Sequence, residues 1–186
     1  MSDAGQIRTI LDAFLLAGLE EELEDQIVQG DGTGENFTGI LNVAGTTAQA
    51  WDTDLLVTTR KALTAVRTVG RATPTAFVFN PADNERLDLL REGGATGAFL
   101  FGGPAQLGTQ TLWGKPRIES EAVPAGIGLV ADWRLAVLWD REQASVQVSD
   151  SHADFFVRNL LAFLAEMRAA FGVLRPSAFV EIDLTA

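Results

Sequence analysis

The sequence has 186 residues, 47% of them hydrophobic, with eleven Phe, four Trp, no Tyr and no Cys. That length supports one domain with a substantial core; the lack of Cys excludes disulfides and thiolate metal sites, and the single His152 leaves no histidine cluster for zinc. The formal net charge of -11, from 14 Lys and Arg against 25 Asp and Glu, argues against a surface-wide electrostatic grip on nucleic acid.

Residues 1–20 carry neither a basic start nor a small-residue cleavage site, and no run in the chain approaches a membrane span. A soluble, cytosolic chain without a signal peptide is expected. Ile7, Ile10, Leu11, Phe14, Leu15, Leu19, Leu23 and Ile27 recur at helical steps, which predicts one helix over 3–28 with Ser2 or Asp3 as N-cap. Such a helix is about 39 Å long at about 1.5 Å per residue. A compact chain of this length has a radius of gyration of about 16 Å, so the helix has to run the length of the molecule. Its C-terminal half carries Glu20, Glu21, Glu22, Glu24 and Asp25, at the end where the macrodipole disfavours negative charge. A solvated face is the plain reading of these acids. The functional reading is contact with an Arg of a neighbouring subunit, with Glu20, Glu21, Glu24 and Asp25 as the intersubunit patch.

The stretch GDGTGEN (30–36) follows a helix, contains no Lys and would offer Asp31 and Glu35 to any phosphate. Phosphate-cradling glycine loops instead follow a strand and open a helix, so that free N–H groups face the anion. This loop is expected to turn the chain, with Gly30 as a left-handed C-cap. A second helix is predicted over 53–69, opened by Asp52 or Thr53 and closed by Gly70. A buried strand over 73–80 follows, then a helix over 81–94 that starts at Pro81 and ends on Gly93.

From 93 to 111 the chain reads as a long glycine-rich loop in which Phe99, Leu100 and Phe101 need burial or a partner. Strands are predicted within 112–120, 126–131 and 135–141, with a fourth over 144–149. In SDSHAD (149–154) a Ser, a His and an Asp stand together, but residues this close in sequence rarely converge as a triad. His152 is expected to cap the element that starts near Ala153. Asn159 and Glu166 stand among apolar neighbours, where an unpaired amide or carboxylate is costly, so a satisfied structural pair or an interface contact is expected. Helix formers over 153–171 predict a helix by propensity, and 177–184 alternates as a strand. The sum is an α+β or mixed α/β domain.

In this order and spacing, QGDGTGENFTGI, FNPADNERLDLLREGG, FLFGGP, LWGKPRIES, VLWDREQASVQVS, FFVRN and LRPSAFVEI resemble the C-terminal two-thirds of the major capsid protein of tailed bacteriophages. The resemblance implies the α+β tailed-phage major capsid protein fold, with a long spine helix, an elongated peripheral domain and a wedge-shaped axial domain near the capsomer centre. On that pattern residues 1–50 are the spine helix and exit turn of the peripheral domain, 51–140 the axial domain and 141–186 the return to the peripheral domain. The family tends to have strand in the last of these, so strand is the expectation taken against helix propensity. Phe99, Phe101, Gly102, Gly103 and Pro104 are implied to form an assembly loop near the five- or six-fold axis, covered by neighbouring copies.

Some capsids of this family join subunits by a Lys to Asn isopeptide bond, with a Glu in an apolar pocket taking the proton from the amine. By resemblance Asn159 matches the acceptor and Glu166 the catalytic acid. Lys61 and Lys115, the lysines present, match no donor, so neither cross-linking nor other enzyme activity is expected, and no cofactor or metal. In the family an N-terminal arm and an extended loop precede the spine helix, whereas this sequence starts at the matching helix. A truncated chain, a remnant gene and a small shell protein are the alternatives, and weakened assembly is the expectation.

The implied function is structural: self-association into pentamers and hexamers of an icosahedral shell around double-stranded DNA, in the virion, assembled in the host cytoplasm. Copies of itself are the expected partners, with portal, scaffold or protease besides and no membrane. An encapsulin-like compartment is the alternative. A small α/β binding domain or enzyme in 93–114 is a third, for which a deep pocket with convergent polar groups and a shifted pKa would speak.

Overall fold

The computed structural model describes residues 2–93, 96–101, 110–151 and 155–185, with side chains from Arg8 onward. In chain order the elements are α1 (Ser2–Gln29), β1 (Thr47–Gln49), α2 (Leu55–Thr68), β2 (Ala76–Phe79), α3 (Pro81–Asp88), β3 (Thr111–Leu112), β4 (Lys115–Glu119), β5 (Ile127–Ala131), β6 (Ala136–Ser149), α4 (Phe155–Arg158), β7 (Ala162–Val173) and β8 (Phe179–Asp183). They build a six-stranded sheet in the order β1-β8-β5-β2-β4-β3 and a separate two-stranded ribbon of β6 and β7.

All four residues of β2 are buried, because the strand is covered on both faces. Phe77 and Phe79 face α2 and join Leu63, Val66, Val130, Val180 and Ile182 in one core cluster. Val78 faces the other way, into a second cluster with Val28 at the end of α1, Ile40, Leu129 and Phe179. Alternation of side chains along a strand thus divides one short apolar run between two cores. The Phe77 and Phe79 rings stack with centroids 5.5 Å apart, and full burial of each is worth about 1.5–3 kcal/mol. β2 pairs parallel with β4 and antiparallel with β5, so the sheet is mixed.

Helix ends follow local chemistry. The Asp54 side chain accepts from the Val57 N–H and is the N-cap of α2, two residues after the expected Asp52. Thr53 instead adopts a left-handed turn (φ 59°), and Asp52 pairs with Lys61 and accepts from the Thr53 hydroxyl. Asn80 caps α3, and Pro81 opens it as expected. That helix stops at Asp88, short of Gly93, because the chain folds back: Leu100 N–H donates to the Leu90 carbonyl and Arg91 bridges to Phe99.

The predicted turn after α1 is present, with a different division of labour among its glycines. Gly30 is not left-handed; a Cβ there would lie 2.4 Å from the Phe37 carbonyl, so glycine is required by close approach. The positive φ falls on Gly32 (71°) and Gly34 (62°). The Asp31 carboxylate accepts from the Thr33 hydroxyl (2.6 Å), the Thr33 N–H (3.0 Å) and the Asn36 side-chain amide (2.8 Å).

β6 and β7 pair antiparallel along their length, with register shifts between Asp140 and Glu142 and between Glu142 and Ser145. The two strands expected over 135–141 and 144–149 are one strand bent by bulges. Among the described residues of the 153–171 stretch that propensity assigns to a helix, only Phe155–Arg158 is helical; from Ala162 the chain is strand. The physical reason is the row of backbone N–H and C=O groups on β6, which a helix leaves unpaired and a second strand satisfies. The segment 141–186 also divides: β7 stays in the ribbon beside α1, while β8 enters the six-stranded sheet between β1 and β5.

Two measurements check this reading of the local chemistry. Asp54→Ala removes the α2 cap and is expected to lower stability by about 1 kcal/mol, seen as a lower denaturant midpoint at unchanged slope. The hydrogen bonds from Thr33 and Asn36 hold the Asp31 pKa down at about 2. Since that is below the unfolded value of about 3.9, their stabilising effect is full at neutral pH and is lost as pH falls from about 4 through about 2. An NMR titration is expected to give that low midpoint in the parent and a higher one in Thr33→Val.

Candidate assembly surfaces

α1 rests on the β6–β7 ribbon through the half-buried Leu19, Leu23 and Ile27, and among its described side chains only Val28 is buried. The apolar stripe read from the sequence is therefore covered only in its C-terminal half. Ile10 is 55% and Phe14 73% exposed. At the far end of the ribbon, α4 and the start of β7 leave Phe156 79%, Val157 86% and Leu161 60% exposed, with Leu160 and Leu164 beside them. The sequence reading does not single out this second patch, because a run of apolar residues does not say which of them a neighbouring element covers. Contiguous apolar surface of this kind marks an interaction site.

Glu20, Glu21, Glu24 and Asp25 line one groove of about 530 Å³, with Glu119, Ser120 and Glu121 on its opposite wall. The two further carboxylates come from the last residue of β4 and the turn after it, and the sequence signal for them was the ESE of 119–121. The last turn of α1 has no basic residue to offset this charge. Among the described residues no group of His, Cys, Asp or Glu has an arrangement that could hold a metal ion. The groove therefore offers negative charge without a chelating geometry.

Phe99 and Phe101, expected to need burial or a partner, are half-buried. The Arg91 guanidinium lies 3.8 Å from the Phe99 ring centroid, and Phe101 packs against the α2-side core. Leu100 between them is exposed. Gly102, Gly103 and Pro104 lie outside the described residues, as does His152.

Asn159 is exposed, in a left-handed conformation (φ 55°) in the turn between α4 and β7. Glu166 is half-buried within β7, opposite Ser145. Among the described residues no hydrogen bond or ion pair joins them, so the expected structural pair is corrected to two separately placed groups. The turn lies on solvent, where the Asn159 amide needs no internal partner.

A second groove, of about 600 Å³, runs between α1 and the ribbon, lined by Leu19, Leu23, Phe37, Trp139 and Met167 among others. The lowered pKa values of Asp31, Asp132 and Asp183 belong to neither groove. That of Asp132 follows from the Arg134 guanidinium, bound through both carboxylate oxygens at 2.8 and 2.7 Å, and that of Asp183 from the Thr185 hydroxyl and N–H. Among the described residues no helix is long and apolar enough to cross a membrane.

Comparison with known proteins agrees with this geometry. Residues 1–184 match the phage capsid family. The chain is 34% identical to the major capsid protein of Enterobacteria phage HK97, over 97% of this chain and 47% of that protein, so it spans about half the length of that relative. A solved structure from Gordonia phage Cozz superposes with a TM-score of 0.79 at 19% identity, covering 100% of this chain and 65% of that one. A structure of an encapsulin complex from Synechococcus elongatus PCC 7942 gives 0.67 at 21% identity, covering 97% and 67%. The helix-and-ribbon unit beside a mixed sheet is thus the tailed-phage capsid fold, and with the match running over nearly every residue, the chain belongs to the phage capsid family.

Proposed function

We propose that this chain is a shell subunit, a major capsid protein that self-associates into the pentamers and hexamers of an icosahedral particle enclosing double-stranded DNA. The observation that carries the reading is the likeness to a major capsid protein along almost the whole chain. The apolar side chains exposed on α1 and around α4 support it, because a two-stranded ribbon is marginal by itself and gains stability when neighbours cover it.

In this reading α1 with the ribbon is the peripheral unit. The six-stranded sheet with α2 and α3 is the axial unit, to which β8 belongs in place of the peripheral return first expected for it. The segment around Phe99 and Phe101 then faces the capsomer axis. The particle is the virion shell, assembled in the host cytoplasm, with portal, scaffold and protease as further partners. The acidic groove takes a basic side chain of a neighbouring copy, and the net charge of -11 suits a container in which packaged DNA slides. Cross-linking is left out of the proposal: Lys61 is held by Asp52 and Lys115 lies in the β3–β4 hairpin. The encapsulin alternative shares the fold and differs in what the inner surface binds.

Light scattering coupled to size exclusion over a concentration series, with negative-stain microscopy of any large fraction, tests the reading. Pentamers, hexamers or closed particles are expected, and Phe156→Ser with Leu161→Ser should weaken assembly at least about tenfold without changing the unfolding midpoint of the subunit. A strict monomer at every concentration overturns self-assembly of this chain. For the acidic groove, Glu20→Gln, Glu21→Gln, Glu24→Gln and Asp25→Asn together should weaken assembly at low salt and flatten its salt dependence. An unchanged salt profile removes the groove from the interface.

A further inference from the structure

We infer that Arg117 is a clamp that holds together the two ends of the glycine-rich segment between Phe101 and Gln110. Its side chain, on β4, is only 3% exposed, and a guanidinium so far out of water persists only where it is paired. The pairing is directional. One terminal nitrogen donates to Asn84 Oδ1 (2.9 Å) and the other to Asp88 Oδ1 (2.6 Å), both on α3. The Phe101 ring centroid lies 5.2 Å from the guanidinium carbon, within cation–π range.

Gln110 is gathered onto the same node from the other side. The Arg117 backbone N–H donates to the Gln110 carbonyl (2.9 Å), and the Asn84 side-chain amide donates to Gln110 Oε1 (3.0 Å) and to Glu119 Oε1 (2.5 Å). Asn84 is itself buried, and its fixed amide leaves little freedom in where Gln110 sits. Phe101, nine positions before Gln110 in sequence, is thus tied to the buried Arg117 side chain, and Gln110 to the Arg117 main chain and to Asn84, the immediate partner of that guanidinium. Arg117 Nε has no hydrogen-bond partner among the described residues, so the node is arranged for direction and not for maximal pairing.

An apolar side chain of similar volume would fill the same space, and such replacements of buried ion pairs often leave stability unchanged or raise it. What an apolar side chain cannot do is orient Phe101 and Gln110 toward each other. Arg117 is therefore a positioning residue: it presents Phe101 and Gln110 in one geometry to neighbouring copies. That last role rests on the shell reading.

Hydrogen exchange on the isolated subunit separates the two claims. In Arg117→Met, the amides of 99–101 and 110–112 are expected to exchange about tenfold faster while those of β2 and β5 keep their parent rates, since local opening need not involve the core. Arg117→Lys, a point charge without the planar fork, should fail to restore protection. Phe101→Leu leaves the pairing with Asn84 and Asp88 in place and should loosen the same stretch by about threefold, and it stands in should Arg117→Met not fold. Unchanged exchange at 99–101 and 110–112, or an equal rise in β2 and β5, overturns the clamp. If the clamp holds and assembly by light scattering is unaffected in Arg117→Met, the segment is not an assembly element, and the clamp survives as a property of the subunit.

Discussion

A strand buried along its whole length must be covered on both faces, and β2 sets that requirement here. Its Phe77 and Phe79 call for an apolar layer on one side, which α2 supplies through Leu63 and Val66. Val78 calls for another on the opposite side, supplied by the end of α1, the turn that follows it and the 122–123 segment. The end of α1 is thereby held against the sheet, and the rest of that helix is carried outward from it. β8 answers the same requirement from the far end of the chain: Val180 and Ile182 enter one core, Phe179 the other. The sheet is therefore closed by residues distant in sequence.

The other half of the molecule is built on the opposite principle. α1 and the β6–β7 ribbon satisfy their backbones but not their apolar side chains. The ribbon has one helix against it and leaves Trp139 and Leu164 half-exposed; α1 leaves Phe14 to solvent. In a monomeric domain such surface is a liability. In a shell subunit it is the material of association, since each apolar area uncovered in the subunit is area that a neighbour can remove from water. The contrast between a core closed on itself and a unit left open is the structural form of the proposed function.

Charge is distributed in keeping with that division. In the sheet unit several charged groups are tied up in pairs whose geometry fixes local structure, such as Arg117 with Asp88 and Arg134 with Asp132. The acids of α1 and those at the end of β4 and in the turn after it line one open groove that has no Lys or Arg among the described residues lining it. Paired charges there define the subunit; in the proposed shell the open ones provide a field that selects what comes next to it.

How far the sequence could be read depends on how local the deciding interaction is. The spacing from Ile10 to Ile27 was enough for α1, Pro81 after an Asn for the start of α3, and the glycines of 30–34 for a turn, because each is settled within a few residues. The same spacing overstated how much of α1 is buried, since periodicity marks a face without saying what covers it. The segment from Ala162 to Val173 carries helix formers and is strand because β6 offers it a ladder more than a dozen residues away. Asp54, not Asp52, caps α2 because Thr53 takes the left-handed turn. The family was legible from motif order alone, and the acids of α1 were visible as a run. What only the tertiary structure decided is which distant groups meet: Glu119 and Glu121 across from those acids, Phe101 and Gln110 on Arg117, and β8 inside the sheet. Those meetings arise from long-range pairing and shared burial, which no local pattern encodes.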